Sequence, residues 1–171
     1  RFAGVDWGWN DFAVVHGRWW SNRRAVAVAI NPSQPTLPPK ILWDRSYEDG
    51  YSDPGQFIDK TNSWGRNVLH CDKSKKKLYL TGKGASNEDD KPFLDEDNIE
   101  KGKSKRIWQS EAPSYEYFVD FINPSDLSFL ISKESVTDQP NFFIYHSKKK
   151  TVTQLTNFPD LYPTLKNVRK E

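Results

Sequence analysis

Apolar residues along this chain come in short runs rich in β-branched and aromatic side chains, broken by Gly, Pro, Asn, Asp and Lys. Spacing of the helical kind is nearly absent. One pattern recurs three times: an apolar strand, a polar tip, and a second strand that ends on apolar residues. It is seen as Ala25-Val26-Ala27-Val28-Ala29-Ile30 into Lys40-Ile41-Leu42-Trp43, then as Phe93-Leu94-Asp95-Glu96-Asp97-Asn98-Ile99 into Lys105-Arg106-Ile107-Trp108. The third copy runs from Phe142-Phe143-Ile144-Tyr145-His146 into Val152-Thr153-Gln154-Leu155. The equivalent positions Leu42, Ile107 and Leu155 are spaced by roughly 50–65 residues, near the period of a β-propeller or a related array of short strands. One such unit cannot bury both faces alone, so function belongs to the assembly.

The pattern predicts an all-β chain, a partial β-propeller of about three four-stranded antiparallel blades, near residues 1–45, 64–110 and 115–158. The first blade uses strands near Gly4–Trp7, Phe12–Arg18, Arg24–Ile30 and Lys40–Trp43. Pro32, Pro35, Pro38 and Pro39 cannot continue a sheet interior, so they mark the loop between its last two strands. The second uses Asn67–Cys71, Lys77–Thr81, Pro92–Ile99 and Ser104–Trp108, with a hairpin tip at Glu100-Lys101-Gly102-Lys103. The third uses Tyr117–Ile122, Leu127–Ser132, Asn141–His146 and Val152–Leu155. Residues 45–65 are polar and are expected to cross between blades. Alternation puts Val26, Val28 and Ile30 on one face, which is expected to be the buried one. Three blades cannot close a ring, so the outer ones are expected to expose faces carrying Phe142, Ile144, Trp7 and Trp9, and the chain to self-associate through them.

Composition alters this picture little. Hydrophobic residues make up only 36%, but aromatics reach 14% with seven Trp, enough to build a core from few side chains. The 25 Lys and Arg nearly balance 23 Asp and Glu, which argues against a nucleic-acid partner. The Lys runs at 73–77, 101–106 and 148–150 fall at expected hairpin tips, where charge protects sheet edges. Cys71 is the only cysteine, so no disulfide forms within the chain, and no run is long enough for a membrane span. An opening at Arg1 without Met, and the lack of any Met, read as an internal piece of a longer protein.

A more specific signal lies in Trp43-Asp44-Arg45-Ser46-Tyr47-Glu48-Asp49-Gly50-Tyr51-Ser52-Asp53-Pro54-Gly55. Further along come Gly82-Lys83-Gly84-Ala85-Ser86 before Pro92-Phe93-Leu94-Asp95, then Arg106-Ile107-Trp108-Gln109-Ser110, Ser132-Lys133-Glu134-Ser135 and Gln154-Leu155-Thr156-Asn157-Phe158-Pro159. In this order the five motifs resemble the glutamyl endopeptidase branch of the prolyl oligopeptidase-type serine peptidases, at an internal stretch of the N-terminal propeller. Asn87 and Asp89 depart from the family's usual Pro and Gly, which bears on the loop they sit in. The resemblance implies that the parent continues into an α/β-hydrolase domain with a Ser–Asp–His triad. The propeller would then cap that domain and meet its peptide substrate. It also implies a chloroplast location in plants, or a periplasmic or secreted one in bacteria.

The residues themselves offer no catalytic centre. No serine has the Gly-x-Ser-x-Gly setting of a nucleophile elbow. His70 and Cys71 are adjacent on a strand and face opposite sides. His16, His70 and His146 lie on three units without metal-ligand spacing, and neither Asp95-Glu96-Asp97 nor Gly82-Lys83-Gly84 completes a calcium or phosphate motif, so no metal and no cofactor is expected. Glu48, Asp49 and Asp53 read as turn acceptors. Arg23 and Arg24 are the candidates for substrate binding, because a guanidinium matches the carboxylate of an acidic side chain; cross-strand pairing is the competing use. Two functions remain open: a non-catalytic propeller segment restricting access to a hydrolase site, or a stand-alone propeller serving as a binding platform.

Overall fold

A computed structural model describes residues 1–160, and they contain strands and turns with no α-helix. Phe2–Trp9 (β1), Phe12–Trp19 (β2), Arg24–Ile30 (β3) and Lys40–Ser46 (β4) form a four-stranded meander in the order β1-β2-β3-β4. Next come Gln56–Phe57 (β5), Asp59–Thr61 (β6), Asn67–Leu69 (β7), Lys77–Gly82 (β8), Phe93–Asn98 (β9) and Lys103–Gln109 (β10). The second four-stranded sheet has the order β10-β9-β8-β5, and β6 and β7 pair only with each other. Tyr115–Asn123 (β11), Ser128–Glu134 (β12), Asn141–His146 (β13) and Thr151–Gln154 (β14) make a third meander in chain order. Three successive four-stranded sheets are the repeating unit from which propellers are built. By its contacts the chain divides into two compact units, residues 1–80 with 96–104, and residues 81–95 with those from 105 onward.

Strands β3 and β13 occupy the segments expected from the pattern, and the others differ at their ends by a few residues. The second sheet departs more. Its first strand is β5, so the sheet starts at Gln56, and Asn67–Leu69 is diverted into a hairpin. Ile58 N–H donates to Tyr79 O at 2.9 Å, His70 N–H donates to Ile58 O at 2.8 Å, and Cys71 bridges Leu78. The strand beside β8 is therefore built from two pieces, 56–58 and 71, with a hairpin inserted between them.

In the first unit Phe12, Val14, Ala27, Ala29, Leu69 and Leu78 form the buried core, against which Trp9, Leu42, Trp43, Phe57 and Ile99 pack. This corrects the expected face of β3. Ala27 and Ala29 are buried, whereas Val26, Val28 and Ile30 share the opposite, half-buried face. Register explains the outcome: His16 lies opposite Ala27 and Val14 opposite Ala29, so the alanines join the face on which Val14 and Phe12 meet Leu69 and Leu78. Trp9 is likewise not on an open face. A bulge between Trp7 and Trp9 shifts the alternation and sets Trp9 opposite Phe12, where the rings stack at 4.6 Å, while Trp7 stays 54% exposed.

The second unit is centred on Phe129, which is fully buried. It stacks on Tyr145 at 5.0 Å and meets Trp108, Phe118 and Phe121 at 5.9, 5.7 and 6.4 Å. Phe142 and Ile144, on the other face of β13, are half-buried.

Candidate functional site

Three places gather chemically capable side chains. The first is the end of the β2–β3 hairpin. Arg23 holds φ at +57°, which turns the chain into β3. Its Nε lies 2.8 Å from Glu48, its Nη1 donates to Trp20 O at 2.6 Å, and its guanidinium covers the Trp20 ring at 4.6 Å. Arg24 forms a two-pronged pair with Asp44, Nε to Oδ1 at 2.7 Å and Nη2 to Oδ2 at 2.5 Å, and lies over Trp19. That contact lowers the Asp44 carboxyl below its usual range and raises Arg24. Both candidate arginines thus already hold a carboxylate of the chain, Arg24 one in β4 and Arg23 one in the turn that follows it. Arg18 differs: its guanidinium sits 3.9 Å from the Tyr47 ring centre and has no carboxylate partner among the described residues. The buried Tyr47 hydroxyl has no hydrogen-bond partner there either.

The turn that follows is held by its acids, as turn chemistry requires. Asp49 accepts from the Ser52 hydroxyl and from the backbone N–H groups of Tyr51 and Ser52, and the Ser52 contact depresses its carboxyl. Arg45 ties the turn together by donating to the Asp49 carbonyl and pairing with Asp53.

The second place is a histidine–carboxylate pair. His16 Nε2 lies 2.7 Å from Asp6 Oδ2, with Trp43 and Phe57 against the ring. Asp59 is nearby, its carboxyl pushed up by burial and then by the charge of Asp6. No hydroxyl or thiol bonds His16 among the described residues, so the pair has no nucleophile to activate. His146 does touch hydroxyls, a contact that the sequence pattern does not reveal: Ser128 Oγ to Nδ1 at 3.3 Å and Thr153 Oγ1 to Nε2 at 3.4 Å. A triad needs a carboxylate on the second nitrogen to orient the base. Here a threonine takes that place, and Asp126 bonds Ser128 instead, at both its side chain and its backbone N–H.

His70 is buried edge-on to Tyr79, and burial raises the thiol pKa of its neighbour Cys71, which leaves it a poor nucleophile. No group of three His, Cys, Asp or Glu side chains gathers to hold a metal among the described residues. The third place is a groove of about 490 Å³ in the second unit, rimmed by Glu88, Asp89, Asp90 and Glu134. Tyr115 in its wall has a phenol raised by burial and then by the charges of Asp90, Asp89 and Glu134.

The comparisons with known proteins bear on what surrounds these places. No protein-family model matches the chain. A rice protein (Oryza sativa subsp. japonica) named "Probable glutamyl endopeptidase, chloroplastic" is 34% identical across 100% of this chain. Its Arabidopsis thaliana counterpart of the same name is 33% identical, again over the whole chain. The chain is similar to one segment of these two proteins. It spans about a fifth of their length, 20% and 19% respectively. The crystal structure of TolB from Acinetobacter baumannii aligns with 92% of the chain and 32% of its own, at 12% identity and a TM-score of 0.47.

Proposed function

We propose that this chain is a propeller segment of a glutamyl-endopeptidase-like serine peptidase, and that it restricts which chains reach a hydrolase site without itself cleaving bonds. The observation that carries the reading is alignment along the entire chain with one fifth of two glutamyl endopeptidases. Among the described residues, His146 meets Ser128 and Thr153 hydroxyls, and His16 pairs with the Asp6 carboxylate. A cap of this kind acts by gating, so its mutations change access and selection more than the chemical step. The partners are then the parent's α/β-hydrolase domain and its peptide substrate, and the compartment is the chloroplast if the parent is a plant protein. Arg23 and Arg24 would contact substrate only by exchanging Glu48 and Asp44 for a substrate carboxylate. In isolation the chain would pair with a second copy through the face bearing Trp7 and Ile41, 54% and 61% exposed, which light scattering across a dilution series would detect.

The test uses the full-length parent and the isolated chain side by side on a Glu-containing chromogenic peptide. Cleavage after Glu by the parent, with none above background by the isolated chain, supports the reading. An open reading frame that ends without a downstream Gly-x-Ser-x-Gly, together with no cleavage, favours the stand-alone platform.

A further inference from the structure

The β6–β7 hairpin interrupts a strand that could have run straight from Ile58 to Cys71, and its tip is firmly built. Asn62 Oδ1 accepts from the N–H groups of Trp64 and Arg66, each at 3.0 Å. Asn62 N–H donates to Arg66 O at 2.8 Å, Gly65 N–H donates to Asn62 O at 3.0 Å, and Gly65 takes φ +73°, a value open to glycine at little cost. What this tip presents is unusual for the chain. Trp64 is 82% exposed and has no ring or cation stacked on it among the described residues. Trp20, also well exposed, is by contrast covered by Arg23.

Register places the charges. Lys60 lies opposite Val68, and the Asn62–Arg66 bond continues the ladder, so Lys60 and Arg66 share one face as diagonal neighbours. Diagonal side chains on an antiparallel pair are roughly 7 Å apart, close enough to repel and close enough to hold one carboxylate between them. Neither cation has a carboxylate partner among the described residues, whereas Arg23, Arg24, Arg45, Lys76, Lys77 and Arg106 all do. Asp59, the nearest acid in sequence, points to the opposite face with its partner Leu69.

We propose that this hairpin is a docking element for acidic peptide segments. Lys60 and Arg66 clamp a glutamate or aspartate side chain, and Trp64 packs flat against the peptide backbone and the aliphatic stem of that side chain. The pinned tip lowers the ordering cost that a mobile loop would meet on binding. The choice of a peptide rests on the peptidase reading above; the preference for an acidic one rests on Lys60 and Arg66, two cations set on one face with no carboxylate partner among the described residues.

The experiment measures fluorescence anisotropy of a labelled Glu-containing peptide, and of its Gln twin, against the 171-residue chain at low and high salt. The wild-type chain binds the Glu peptide more tightly and loses it with salt. Lys60→Gln and Arg66→Gln each weaken binding about three- to five-fold, the worth of one exposed ion pair. Trp64→Ala weakens it about five-fold. Lys148→Gln, at an exposed lysine of the other unit, leaves it unchanged, and circular dichroism shows all four variants folded. Equal binding of the Gln twin, no binding of the Glu peptide, or an equal loss with Lys148→Gln overturns the proposal. So does tighter, hairpin-dependent binding of a short oligonucleotide, which would mark a general anion site. Cleavage by the full-length parent is scored separately, so a failed hairpin and a failed peptidase reading give different results.

Discussion

Gly84 offers the sharpest check on the packing of the second unit. It holds φ at +64°, and a Cβ added there would lie 2.0 Å from the Lys91 carbonyl oxygen and 2.8 Å from its carbon. The obstacle is backbone, so no rotamer change can relieve it. To reach even 3.0 Å, the tightest separation real Cβ atoms show, the Lys91 carbonyl must retreat by about 1 Å. That movement strains the Lys91 N–H to Gly84 O bond of 2.9 Å and the Gln109 Nε2 to Lys91 O bond of 3.0 Å. The left-handed conformation costs an alanine about 1–2 kcal/mol, and each hydrogen bond lost adds about 1 kcal/mol. Gly84→Ala should therefore destabilise by roughly 3–4 kcal/mol. Gly65→Ala is the control: φ is also positive, at +73°, but nothing lies within 4 Å of the added Cβ, so about 1–2 kcal/mol is expected. Gly84→Asn separates the two causes, because Asn tolerates the dihedral but keeps the Cβ, and it should remain nearly as harmful as Ala. Urea unfolding followed by tryptophan fluorescence reads all three. If Gly84→Ala and Gly65→Ala fall within about 0.5 kcal/mol of each other, the close approach of residues 84 and 91 is wrong.

Phe129→Ala should cost about 3–5 kcal/mol, because the ring is fully buried among Trp108, Phe118, Phe121 and Tyr145; thermal melting would check this, and a loss under 1 kcal/mol would contradict the packing. Tyr79 gives a pH signature: burial, then Glu96, pushes its phenol up to about 12, so the folded chain keeps a proton that the unfolded chain releases near 10. Its contribution is complete below pH 10 and falls by roughly 2–3 kcal/mol as pH rises to about 12; Tyr79→Phe should flatten that part of the stability–pH curve, and identical slopes would refute the assignment.

The meander strands were legible because each carries a run of β-branched or aromatic residues between turn residues, and β3 and β13 start and stop where those runs do. The β5–β6–β7 stretch was not. Gln56-Phe57 is too short to show alternation, and Asp59-Lys60-Thr61 is polar on both faces, so its pairing comes from the ladder with Asn67–Leu69 alone. Alternation showed that Val26, Val28 and Ile30 share a face, but not which face is covered; that depends on Leu69 and Leu78, distant in sequence. A single bulge residue moved Trp9 to the Phe12 side, and no composition signal marks it. At the candidate site the turn acids Asp49 and Asp53 behave as their spacing suggests. The partner of Arg24 comes from β4 and that of Arg23 from the turn after it, both set by how these segments are brought beside β3, so their use as ion-pair donors could be named only as an alternative to substrate binding.

Whether the β6–β7 hairpin is structural or functional can be decided by removing it. Asp59 and Leu69 are direct partners across the ladder, so a two-residue Asn-Gly turn in place of residues 60–68 joins them in register. Leu69, 1% exposed, and the His70 N–H to Ile58 O bond both remain. What is lost lies mostly at the surface: Lys60, Thr61, Ser63, Trp64, Arg66 and Asn67 are exposed, and of the residues removed only Asn62 and Val68 are half-buried, neither of them a member of the buried core. Shortening the loop by this factor returns roughly 1 kcal/mol of closure entropy, which offsets the few surface hydrogen bonds given up. The excised chain should therefore unfold within about 1 kcal/mol of the parent sequence in urea and yet fail to retain a Glu-containing peptide. A loss of several kcal/mol would mean that the hairpin supports the first unit and that Trp64 is exposed for no purpose of binding. Full stability with full peptide affinity would locate recognition elsewhere, and Arg18, stacked on Tyr47 without a carboxylate partner among the described residues, would be the next cation to test.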